Sequence, residues 1–105
     1  MATYVLAYHG GGMPETEAEQ ATVMAAWGAW YGQIGAALVD GGNPIGKTKT
    51  ISSSGAVSDG GGANPISGYT IIKVDTIDQA VACAKMCPIL SAGGSVEVAE
   101  TMEVM

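Results

Sequence analysis

The chain reads as a single α+β domain with the element order β-α-β-β-α-β, and three observations predict it. First, Ser67-Gly68-Tyr69-Thr70-Ile71-Ile72-Lys73-Val74-Asp75, a helical run, Cys87-Pro88-Ile89-Leu90, Gly93-Gly94 and Ser95-Val96-Glu97-Val98 read as strand, capped helix, turn and strand, the order of a split βαβ unit. Second, Thr16 followed by Glu19 is a capping box opening a long uncharged run. Third, residues 3–8 form an apolar, β-branched and aromatic segment that ends at glycines. At 105 residues the chain can bury roughly two-thirds of its unfolded surface, enough for one core.

The elements follow in order. Residues 3–8 are the first strand. The first helix starts at Thr16, with Glu15, Glu17 and Glu19 at the positive end of its dipole. Val23, Trp27, Trp30, Ile34 and Leu38 recur at three and four, so they share a face that must pack on a sheet. The other side, Ala25, Gly28, Ala29, Gly32, Gly35 and Ala36, carries almost no side chain, although each interior glycine costs about 1 kcal/mol relative to alanine. Either a close neighbour compensates or the run is simply rich in small residues. Gly41-Gly42-Asn43-Pro44 ends the helix. Residues 47–52 are the second strand, with lysines on one side as at a sheet edge. Residues 55–67 are a glycine, serine, asparagine and proline loop, extended at most briefly at Ala56-Val57. Residues 68–75 are the third strand. Thr76 and Gln79 cap a shorter helix whose inner face is Ile77, Ala80, Val81 and Ala84 and which Pro88 stops. In the last strand Val96, Val98, Met102 and Val104 alternate with polar positions, interrupted by Glu100 on the apolar side.

Composition excludes several classes of function. The net charge is -6, with four lysines, no arginine and ten carboxylates, so no basic stripe exists for nucleic acid. Residues 20–39 are uncharged and long enough to span a bilayer. They are dominated by alanine and glycine, contain Gln20, Thr22 and Gln33, and have acidic flanks, which points to a soluble helix. The apolar N-terminus lacks a preceding positive charge and meets His9-Gly10-Gly11-Gly12 too early for a signal peptide, so a cytoplasmic location is expected. Cys83 and Cys87 lie four apart on one helix, the placement of free thiols, and without nearby histidines they make no metal site.

Wound with right-handed crossovers, this order gives a ferredoxin-like, four-stranded antiparallel sheet, spatial order 4-1-3-2, with both helices on one face. The other face is left uncovered and calls for a partner. Residues 25–40 and 68–98 most strongly, and nearly the whole chain more weakly, resemble the YCII-related family, which includes the DGPF-domain proteins. Its Asp-Gly-Pro-Phe survives here only as Asp59-Gly60, followed by Gly61-Gly62. The resemblance implies a homodimer in which two sheets close a dimeric α+β barrel. The shorter members' proposed His-Asp pair is absent, since the corresponding regions read Gln20-Ala21-Thr22-Val23 and Cys87 before Pro88.

Candidate chemistry centres on His9, the only histidine. In the expected topology the first strand ends beside the start of the third and beside the turn into the fourth. Gly10-Gly11-Gly12, Ser58-Asp59-Gly60-Gly61-Gly62 and Gly93-Gly94-Ser95 then converge on it. An imidazole oriented by Asp59 is a chemically sensible acid-base pair. Tyr8, Gly10, Gly11, Trp27, Tyr69 and Ser95 are candidates to line a ligand cleft, and Asp40 could reach His9 only from another subunit. No cofactor fingerprint or phosphate loop is present. Two readings follow: a protein that binds or transforms a small organic molecule at His9, or a non-catalytic homodimeric accessory module.

Overall fold

The computed structural model describes residues 1–12 and 15–103. Four strands form the main antiparallel sheet: β1 (Ala2–His9), β2 (Leu38–Asp40), β5 (Ile66–Val74) and β6 (Ser95–Glu100), in the order β2-β5-β1-β6. A separate two-stranded ribbon joins β3 (Lys49–Ile51) to β4 (Val57–Asp59). Two helices, α1 (Glu17–Ile34) and α2 (Ile77–Ala84), complete the α+β fold. No helix among the described residues is long and apolar enough to cross a membrane.

Alternation along β1 decides the layering. Tyr4, Leu6 and Tyr8 are buried, and they pack with Ile72 of β5, Trp30 and Ile34 of α1, and Ala80 and Ala84 of α2. Both helices therefore cover the same face of the sheet. Val5, Ala7, Tyr69, Ile71 and Ala99 point the other way and are only half-buried. Glu100, the polar interruption in the last strand, is explained by its register partner, since the Tyr4 hydroxyl donates to its Oε2 at 3.2 Å. Both helices open at threonine caps, and at Thr76 the reciprocal capping box with Gln79 is complete. Val104 of the expected last strand lies outside the described residues.

Two boundaries differ from the sequence reading. The first helix ends at Ile34, where Gly35 takes φ +51° and its N–H bonds back to the Tyr31 carbonyl. A short 3-10 turn follows, and Leu38 and Val39 then extend beside β5 as the sheet edge. That edge was expected from residues 47–52. Residues 49–51 instead pair with Val57–Asp59, so the segment expected to be loop supplies a strand. Lys49 is held by Asp59 across this ribbon at 2.9 Å, so the segment satisfies its ladder by pairing with itself rather than with the main sheet. The chain as a whole is spread out: its Cα radius of gyration is 15.1 Å, against roughly 13 Å for a compact chain of this length.

Inside the helix-covered face lies a polar chain. The Tyr8 hydroxyl donates to Thr70 Oγ1, which donates to the Gly41 carbonyl at 3.1 Å, and the Tyr31 hydroxyl reaches the same carbonyl at 3.2 Å. Burial pushes the Tyr8 and Tyr31 hydroxyls above their ordinary 10.0 and the Cys83 and Cys87 thiols above 9.0. These groups stay neutral in the fold while the unfolded chain ionises them, so their stabilising contribution is intact below pH 9 and fades as pH rises beyond it. Urea midpoints followed by tryptophan fluorescence are expected to be flat from about pH 6 to 8.5 and to fall above pH 9. Midpoints that hold or rise up to pH 11 would contradict this.

Candidate functional site

His9 closes β1 on the helix-free face, opposite Ser95 of β6 and Ile66 of β5. Its side chain is 11% exposed. Nδ1 lies 3.1 Å from the Pro65 carbonyl and Nε2 3.3 Å from Glu97 Oε1. The carbonyl can only accept, so Nδ1 carries a proton in that contact. An ionised Glu97 can also only accept, so both contacts are made at once by the imidazolium, and a neutral ring satisfies one of them.

Glu97 reaches His9 because of strand register. Glu97 pairs directly with Ala7, two residues before His9, and points to the same face as Ser95. It is therefore the diagonal neighbour of His9, a separation that long side chains span. The glycines beside it serve close approach. A Cβ on Gly94 would lie 2.9 Å from the His9 carbonyl oxygen and 3.1 Å from the Gly11 nitrogen, and Gly10 and Gly11 take φ of +71° and +81°. Gly12 N–H donates to the Ala92 carbonyl at 3.3 Å, tying the two loops together.

Part of the expected constellation is brought together and part is not. Residues 9–12 and 92–95 converge as expected, so Gly10, Gly11 and Ser95 do adjoin His9. Asp59 does not act as the partner of His9: its carboxylate is 91% exposed and binds Lys49 Nζ at 2.9 Å on the ribbon. Glu97 takes the position assigned to it, and the third segment at His9 is Pro65-Ile66 rather than residues 58–62. The aromatic candidates divide between the two faces of the sheet. Tyr69 pairs with Ala7 and shares the face of His9, whereas Tyr8 is buried under the helices with the Trp27 ring edge-on at 5.4 Å. Tyr8 and Trp27 are thus core residues, cut off from His9 by the sheet itself. Asp40 Oδ1 accepts from Gly42 N–H at 2.9 Å in its own chain, a local turn.

Glu97 and Pro65 were not singled out from the sequence. The signal for Glu97 was present: once the last strand lies antiparallel to the first with Ser95 opposite His9, residue 97 is its diagonal neighbour. No equivalent signal marks Pro65, whose carbonyl is presented by a register shift between Tyr8 and His9. An open cavity of about 330 Å³ lies away from His9, at the far end of β1 and β5, bordered by Met1, Ala36, Ala37, Lys73, Asp75 and Gln79. Among the described residues no group of three or more histidine, cysteine or acidic side chains could hold a metal ion. Compared with known proteins, the chain matches no family model and no curated protein.

Proposed function

We propose that the chain is a ferredoxin-like domain of the YCII-related kind, pairing with a second copy through its helix-free sheet face and holding a small organic molecule at His9. The observation that carries this reading is the imidazole itself, sheltered at the end of the open face and held between the Glu97 carboxylate and the Pro65 carbonyl. Such a ring can bind a carbonyl or carboxylate oxygen, or move a proton at it. Asp59 has no part in this chemistry. Val5, Ala7, Tyr69, Ile71 and Ala99 supply the apolar surface that pairing would bury, with His9 at its rim.

A second reading, a non-catalytic homodimeric accessory module, is favoured by apolar side chains exposed away from the sheet: Val23 and Met24 on α1 and Ile51 and Val57 on the ribbon. One experiment separates the two. The ring resonances of the single histidine are followed by NMR while a library of small carboxylic acids, ketones and lactones is added. Molecules that shift those resonances, and that no longer bind His9→Gln, are the expected result. Binding that leaves the ring unmoved, or no binding at all, would favour the accessory module. Sedimentation equilibrium at micromolar concentration is expected to give a smaller assembly for Ile71→Asp than for the natural chain, and a monomeric natural chain would overturn the pairing.

A further inference from the structure

Two parts of this chain stand away from its core, and each lacks what the other supplies. The first is the ribbon β3–β4. Ile51 and Val57 are direct cross-strand partners, so both side chains lie on one side of the ribbon, with the Lys49–Asp59 pair two residues further along on that side. Ile51 is 69% exposed and Val57 61% exposed. An isolated two-stranded ribbon is marginal in water and gains from any surface that covers its apolar side.

The second is the N-terminal half of α1. Every residue from Glu17 to Ala26 is exposed, Met24 at 74%, and the helix touches the core only through Trp27, Trp30, Tyr31 and Ile34. Met24, Gly28 and Gly32 succeed one another at four-residue spacing along this helix, and a Cβ at either glycine would find no neighbour within 4 Å. The glycines therefore lower the helix propensity of α1 without serving any close packing within the chain. Charge is complementary as well. Glu15, Glu17 and Glu19 crowd the start of α1, while Lys47 stands exposed at the entrance to the ribbon, beside Lys49, which Asp59 already neutralises.

We propose that the ribbon of one copy lies on the α1 stripe of a second copy, and the reverse, in a two-fold exchange of arms. Ile51 and Val57 cover Met24 and the glycine stripe, and Lys47 meets the acidic first turn. Exchange about a two-fold axis closes this interface at two copies, because the one ribbon and the one stripe of each chain are then both occupied. This interface is distinct from the helix-free sheet face and does not depend on it.

The test is disulfide trapping between two single variants, Met24→Cys and Ile51→Cys, mixed in equal amounts at micromolar concentration and mildly oxidised. A disulfide-linked dimer that forms in the mixture, and not in either variant alone, is the expected result. No link in the mixture, or equal linking of each variant with itself, would overturn the exchange, and it would do so even where sedimentation shows a dimer through the sheet face. Gly28→Leu, placed in the Ile71→Asp background that removes pairing through the sheet face, provides an independent measurement. It meets nothing within its own chain and improves helix propensity, so its thermal stability as a monomer should hold, while its dimerisation constant weakens at least tenfold. Unchanged dimerisation of Gly28→Leu would equally count against the proposal.

Discussion

Trp30→Ala is expected to remove about 3–5 kcal/mol of stability, the range found when a large aromatic side chain is truncated in a core. Trp30 is 1% exposed and sits where α1, α2 and the sheet meet, edge-on to Trp27 at 5.6 Å and donating its indole N–H to the Cys83 carbonyl at 2.9 Å. It is one of few side chains that tie α1 to the core, since every residue in the first half of the helix is exposed. A domain of this size has about 5–15 kcal/mol in total, so the loss would shift thermal unfolding down by at least 12 °C. Trp30→Phe separates packing from the hydrogen bond. The Cys83 carbonyl keeps a backbone donor, Met86 N at 3.3 Å, so this variant should lose only about 0.5–1.5 kcal/mol from the missing bond, plus what the smaller ring fails to fill. A melt in which Trp30→Ala falls by less than 5 °C would show that α1 is not anchored there.

The contrast between these anchors and the free half of α1 shows where the sequence was legible. The threonine caps of both helices and the alternation of β1 and β5 were readable because each depends on residues within a few positions of one another. The end of α1 was not. Ala29 to Val39 keeps a helical pattern of apolar residues through Gly35, and only pairing with β5 turns Leu38 into a strand. The ribbon was missed for a related reason. Val57-Ser58-Asp59 has no strong strand signature, and its ladder is completed by Thr50 Oγ1 on the Gly60 carbonyl at 2.7 Å and by the Lys49–Asp59 ion pair, which no local pattern announces. The same event moved Asp59 away from His9, because a carboxylate committed to a cross-strand lysine is not free to orient an imidazole. His9 itself was legible as the meeting point of glycine loops, while its carboxylate partner followed only from strand register.

Gly42→Ala carries the second large effect. Gly42 takes φ +71°, and a Cβ built there would lie 1.8 Å from the Tyr69 carbonyl oxygen and 2.7 Å from its carbon. Both atoms belong to the backbone of β5, an inner strand held by β1 along its length, so the neighbour cannot yield. The loop must move instead. Gly41, next in line, accepts hydrogen bonds at its carbonyl from Thr70 and Tyr31, and Gly42 N–H is held by Asp40, so displacement breaks the chain of polar contacts that seals this end of the core. The left-handed backbone costs an alanine about 1–2 kcal/mol, and two weakened hydrogen bonds cost about 1 kcal/mol each, for a total of about 3–4 kcal/mol. Gly55→Ala is the control: it has a comparable φ of +90° and no neighbour within 4 Å, so it carries the backbone cost alone. Urea unfolding of the two variants should differ by about 2 kcal/mol or more, Gly42→Ala being the weaker, because only it meets a fixed backbone. Equal midpoints would mean that the turn after β2 does not press against β5, and that the polar chain from Tyr8 through Thr70 to Gly41 does not depend on that close approach.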